Sequence, residues 1–167
     1  MGLGRVKAPL VGHPQCAAVL VLLCEEGDDF EILLTKRSEL VTHHRGEVAF
    51  PGGIWEPCDT DMLETAFRET KEEIGLSRDH IEPITTLTPI MPLNGETYVT
   101  PFVAYMTGKP ELTLQSSEID CVFRVPINYF LLTTNYEYLM VKYRNHQKKV
   151  PMVHFHDYKI WGCLLYT

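Results

Sequence analysis

Between Cys16 and Cys24 the chain runs through nine apolar residues without a break. A bilayer span needs ~18, so this run does not read as one. Arg5 and Lys7 precede it as in a secretory leader, but Pro14 stands at its entrance and Glu25 and Glu26 at its exit. No small-residue cleavage site follows. A short apolar run closed by charges reads as a buried strand. A second strand candidate, 30–36, follows the turn Gly27-Asp28-Asp29. The chain of 167 residues is one domain in length, long enough to bury a core of its own.

Further along, 47–50 reads as a short strand closed by Pro51-Gly52-Gly53. Residues 60–75 read as a helix, with Asp59 or Thr60 to cap its start and Gly75 to stop it. Strands are expected near 84–90, 97–107, 120–125, 137–144, 150–156 and 158–162, and a short helix at 126–132. Strands outnumber helices, so the class is mixed α/β, a sheet covered by a few helices. Residues 1–15, rich in Gly and Pro, are expected to be loosely ordered, and 16–167 to form a single domain. The five cysteines form no C-x-x-C pair and mostly border apolar runs, which suits a reducing, cytoplasmic setting.

Fifteen basic residues stand against 22 acidic ones, a net charge of −7 that disfavours life on a nucleic-acid backbone. The excess is concentrated. Seven acids (Glu56, Asp59, Asp61, Glu64, Glu69, Glu72, Glu73) and two bases (Arg68, Lys71) lie between Glu56 and Glu73. With Leu63 at zero and about 100° per residue, Ala66, Phe67, Thr70 and Ile74 form one mostly apolar stripe. Glu69, Glu72 and Glu73 share an arc of roughly 100° beside it. Glu69 and Glu73 stand one turn apart and repel each other on a bare helix, yet hard divalent cations favour such clustered carboxylate oxygens. The same face also reads as a solvated one on which Arg68 and Lys71 pair with the acids.

Upstream of the helix, Pro51-Gly52-Gly53 makes a rigid turn followed by two residues of wide backbone freedom. Before it lies a basic stretch, Lys36, Arg37, His43, His44 and Arg45, with the Ser38 hydroxyl among them. Basic side chains and a hydroxyl suit phosphate groups. A solvated basic loop is the plainer alternative.

The order of these parts is that of a family. Residues 52–76, G-G-I-W-E-P-C-D-T-D-M-L-E-T-A-F-R-E-T-K-E-E-I-G-L, resemble the Nudix box, whose core R-E-x-x-E-E-x-G falls on Arg68–Gly75. The upstream L-L-T-K-R-S-E-L-V-T-H-H-R-G-E-V-A-F-P-G-G resembles the signature of the coenzyme A diphosphatase branch. V-T-P-F-V at 99–103, S-E-I-D-C-V-F-R-V-P at 117–126 and Ile160-Trp161-Gly162 resemble it too. The chain departs from the pattern at Thr70, where an apolar residue is usual, and at His43, where a base is usual. It also ends at Thr167, where relatives continue into a C-terminal helix. If that is the natural end, a flank of the core is bare or covered by a partner in a homo-oligomer.

The resemblance implies an α/β/α sandwich with a mixed central sheet. It implies that Glu69, Glu72 and Glu73 hold Mg²⁺ or Mn²⁺ with the Gly53 carbonyl, and that Glu118 is a further ligand or general base. Asp59, Arg68 and Gly75 are implied to be structural, with Arg68 tying the helix to the loop through Asp59. Arg37, Ser38, His43, His44, Arg45 and Gly52 are the candidates for gripping a small-molecule nucleotide substrate. The implied reaction is water attack on a nucleoside diphosphate linkage, with coenzyme A or acyl-coenzyme A giving 3′,5′-ADP and (acyl) 4′-phosphopantetheine. Two alternatives stay open: the same fold acting on ADP-ribose, NADH or capped RNA, and a catalytically weak module that only binds nucleotide.

Overall fold

The computed structural model describes residues 15–41, 45–92, 96–143 and 146–162. The expected loose N-terminal segment, apart from Gln15, and His43 and His44 lie outside these residues. The apolar run becomes β1 (Gln15–Glu26), hairpinned to β2 (Asp29–Arg37) through Gly27, which takes a left-handed φ of 62°. Next come β3 (Val48–Ala49), β4 (Gly52–Ile54) and helix α1 (Met62–Ile74). After them follow β5 (Ile81–Thr86), β6 (Thr97–Met106), β7 (Ile119–Pro126) and the short α2 (Ile127–Leu131). The chain closes with β8 (Tyr136–Tyr143), β9 (His146–Phe155) and β10 (Tyr158–Trp161). No helix of the described residues is long and apolar enough to cross a membrane.

Strands β1 to β7 form one mixed sheet, with β1 parallel to β6 and antiparallel to β2 and β4. β8, β9 and β10 form a second, antiparallel sheet of three. Continuous apolar sequence in β1 is explained by its place: it pairs on both edges and is covered on both faces. Its Ala18, Leu20 and Leu22 pack with Leu33, Ala66, Phe67 and Ile74 under α1. Val21, on the other face, packs with Leu34, Phe50, Val125, Val153 and Ile160. α2 and the three-stranded sheet supply the layer on that side.

A fork in the sheet positions the site. β1 pairs with β2 only from Leu22 onward, whereas its start, Ala17 to Val19, pairs with β4. β2 likewise leaves β1 and takes β3 at Thr35 and Lys36. The segment from β3 through Pro51 to β4 fills the opening, anchored where the Leu20 N–H donates to the Pro51 carbonyl at 2.9 Å. Pro51-Gly52-Gly53 is therefore more than the turn its sequence suggests: both glycines are strand residues facing β1. A Cβ on Gly52, whose φ is 143°, would stand 2.3 Å from the Ala18 carbonyl oxygen.

Candidate functional site

α1 is held at both ends by its own sequence. The Asp61 carboxylate accepts from the N–H groups of Leu63 and Glu64, both at 3.0 Å, so Asp61 is the cap rather than Asp59 or Thr60. Gly75 ends the helix at φ 70°, with its N–H on the Lys71 carbonyl. Asp59 turns inward instead. It is buried and accepts from the Glu56 N–H, the Thr65 hydroxyl and two nitrogens of Arg68, all between 2.9 and 3.0 Å. The Arg68 guanidinium holds its carboxyl below the usual carboxylate range, against its own burial. Arg68 also donates to the Ile54 carbonyl at 2.9 Å, and so ties α1 to the end of β4.

Against this frame the helix presents its acids to the glycine pair. Glu73 is 3% exposed, and it accepts from the Gly52 N–H at 3.1 Å and from Arg37 at 3.4 Å. Burial pushes its pKa up to about 7 despite both donors. Glu69 lies so close to Gly53 that a Cβ there would stand 2.5 to 2.8 Å from its carboxylate atoms. Burial raises its pKa as well, opposed by Arg68. Glu72 is exposed, its carboxylate 3.1 Å from Arg68. Glu118, on a turn before β7, lies near enough that its charge adds to the upward shift of both Glu69 and Glu73. Its carbonyl accepts from the Ser38 N–H at 2.7 Å, which binds that turn to the end of β2.

The structure thus brings Gly52, Gly53, Glu69, Glu73, Arg37 and Glu118 to one place, with Glu72 at its outer side. It does not open every basic-loop candidate towards them. Ser38 is buried, its hydroxyl accepting from the Leu40 N–H at 3.2 Å to hold a turn. Arg45 is exposed and donates to the Val41 carbonyl at 2.7 Å. Sequence reasoning did not find the Arg37–Glu73 contact or the Asp61 cap. The first bridges 36 residues and leaves no local signal, whereas the second was legible in principle, as an acid directly before the apolar Met62-Leu63.

Among the described residues no three His, Cys, Asp or Glu side chains close into a metal cage in this arrangement, since Arg68 occupies both Glu69 and Glu72. The donor set nevertheless fits a hard divalent ion. It offers carboxylate oxygens only, beside a residue whose missing Cβ leaves the approach to Glu69 open. Glu73, buried with a raised pKa, is short of positive charge.

Residues 14–143 match the NUDIX domain family. The mouse mitochondrial coenzyme A diphosphatase NUDT8 is 37% identical over 96% of this chain and 78% of its own length. The human protein of that name is 34% identical over 96% of this chain and 69% of its own. Among solved structures, a Caenorhabditis elegans Ap4A hydrolase binary complex superposes with a TM-score of 0.57 at 23% identity, covering 68% of this chain and 81% of that one. The likeness to the solved structure is one of fold. The chain belongs to the NUDIX family and is a hydrolase.

Proposed function

We propose that this hydrolase cleaves the diphosphate of coenzyme A and its acyl thioesters, giving 3′,5′-ADP and (acyl) 4′-phosphopantetheine. The observation that carries the reading is the convergence of Glu69 and the buried Glu73 on Gly52 and Gly53. The substrate assignment rests on the relatives named coenzyme A diphosphatases and on Arg37, a base at the site that suits a phosphate-rich ligand. Glu69, Glu72, Glu73 and the Gly53 carbonyl would hold Mg²⁺ or Mn²⁺. When bound, the ion neutralises phosphate oxygens and acidifies a water. Arg37 keeps Glu73 turned towards Gly52, and Arg68 fixes the helix so that Glu69 stays at Gly53. Glu118 takes the proton of the attacking water as the new P–O bond forms and the bridging P–O bond breaks. We extend the reading to a reducing, cytoplasmic setting, because the five cysteines form no C-x-x-C pair and mostly border apolar runs. Imaging a fluorescent fusion tests that extension.

A panel of coenzyme A, ADP-ribose and NADH, run with Mg²⁺ and with Mn²⁺, tests the substrate. Coenzyme A is cleaved best, and Glu73→Gln lowers kcat by at least ~10²-fold with the circular dichroism spectrum retained. Equal turnover by the variant removes Glu73 from the machinery. ADP-ribose outrunning coenzyme A replaces the substrate and leaves the site standing.

A further inference from the structure

Residues 107–118 connect β6 to β7 outside any helix or strand, yet part of this connection is bound to α1. From Glu111 to Gln115 exposure alternates. Glu111, Thr113 and Gln115 face solvent, while Leu112 and Leu114 are half-buried against the core under α1. A period of two is that of extended backbone. The extended piece crosses the C-terminal end of α1, where a helix leaves its last carbonyls without intrahelical partners. The Thr113 N–H donates to the Ile74 carbonyl and the Gln115 N–H to the Glu73 carbonyl, both at 2.9 Å. The approach is close: a Cβ on Gly75 would stand 3.0 Å from the Cβ, nitrogen and oxygen of Thr113. Two apolar anchors and two backbone bonds thus make a strap over the helix end.

The strap finishes in a closed turn. The Gln115 carbonyl accepts from the Glu118 N–H at 2.8 Å and from the Ile119 N–H at 2.9 Å. Glu118 is therefore gripped on both sides, its N–H by Gln115 and its carbonyl by Ser38 at the end of β2. Glu73 anchors the other end of this path. Its carboxylate accepts from the Gly52 N–H at 3.1 Å, and its carbonyl holds Gln115. The Glu118 side chain is exposed. Such a side chain gains little placement from packing, so the backbone that carries it decides where its carboxylate stands.

We propose that this strap sets the distance between Glu118 and the Glu69–Glu73 pair, with the Gln115 N–H as its positioning group. The inference rests on the reading of Glu118 as the base for the attacking water. A base works only within hydrogen-bond reach of the proton it takes. A displacement of about 1 Å at the reacting atoms lowers the rate by up to ~10²-fold. Gln115 acts on the base alone, so its loss falls on kcat and leaves KM unchanged.

Gln115→Pro in the full chain is the test. Proline has no N–H, and it restricts the preceding residue to the extended backbone that Leu114 already has. Its kcat should fall by ~10²-fold at unchanged KM. Gln115→Ala keeps the N–H and should recover most of that rate, whereas a loss as large as that of proline overturns the role of the N–H. In a Glu118→Gln background Gln115→Pro should lower kcat no further, because a group that acts through Glu118 has nothing left to place. Additive losses overturn the inference, as does wild-type kcat in Gln115→Pro beside a slow Glu118→Gln; both results leave Glu118 as the base. Wild-type kcat in Glu118→Gln removes the base reading and the inference together. If Gln115→Pro does not fold, a glycine inserted between Ser116 and Ser117 keeps both helix bonds and shifts Glu118. The same loss of kcat then supports the strap, and wild-type kcat overturns it.

Discussion

The two faces of the central sheet are built from the same strands and end up unlike. Towards α1, the even-numbered residues of β1 meet a closed core in which Ala18, Leu20, Leu22 and Ala66 are inaccessible to solvent. The rim of that core is knotted by Asp59, Thr65 and Arg68. Away from α1, the odd-numbered residues meet half-buried aromatics and an open apolar cavity. The closed face is the one whose edge carries the carboxylates, and the loose one borders empty space. Chemistry that depends on the position of two charged groups needs rigid support.

Leu20 and Leu23 test this contrast most severely, because they are the same residue type, on one strand, facing opposite ways. Leu20 is fully buried under α1, so Leu20→Ala leaves a hole its neighbours cannot collapse and costs about 4 kcal/mol. Leu23 already borders the cavity, so Leu23→Ala enlarges an existing opening and costs about 1 kcal/mol. In thermal unfolding the two variants should differ by roughly 6 to 12 °C at about 2 to 4 °C per kcal/mol for a domain of this size. Equal losses would mean that the far face is as tightly packed as the near one.

A slightly smaller effect is expected from the polar knot. Asp59→Ala strips four hydrogen bonds at once and leaves the half-buried Arg68 without its principal partner. Removing one member of a buried pair costs about 3 kcal/mol, whereas an exposed pair would cost under about 1. Chemical denaturation of Asp59→Ala against Glu72→Ala makes the comparison, since Glu72 binds the same Arg68 from the solvent side. Similar losses for the two would mean that the knot is a surface feature.

These contrasts also mark where the sequence was legible. α1 was readable to within two residues because helical period, cap and stop are all local, and the nearness of Glu69 to Glu73 follows from one turn of helix. The strands were readable from their apolar runs. What sequence left out is pairing across long separations. The fork of β1 and β2 turns Pro51-Gly52-Gly53 into strand backbone, and no residue near that segment announces the fork. Asp59 and Asp61 both precede the helix, and although the resemblance implies that Arg68 ties to Asp59, only the fold shows that Asp61 is the cap. Glu73 looked like part of an exposed acidic arc, but the Gly52 N–H, 21 residues upstream, draws it into the interior. The far-face cavity has no sequence signal, because it is made of residues that would equally have packed shut.

The burial of Glu73 gives the last expected effect, spread over several pH units, and its sign distinguishes a strained acid from an ordinary solvated one. The carboxyl titrates at its ordinary value of 4.5 when unfolded, and burial raises it to about 7 when folded. The folded protein therefore holds this proton more tightly than the unfolded chain does. Below pH 4.5 both states are protonated and the group costs nothing. As pH rises from there towards 7, the unfolded chain ionises freely and the folded one resists, so metal-free stability falls, by on the order of 3 kcal/mol by pH 8. Glu69, also raised by burial, pulls the same way, whereas Asp59, lowered by Arg68, acts only at more acid pH. Glu73→Gln keeps an acceptor for the Gly52 N–H and cannot ionise. In chelator the variant should therefore gain on the wild type as pH climbs from 5 to 8, while a pH-independent difference would mean that Glu73 is solvated. Millimolar Mg²⁺ supplies the wild type with the positive charge that the lost proton took away. It should raise the wild-type Tm more at pH 8 than at pH 6, and do so less in the variant.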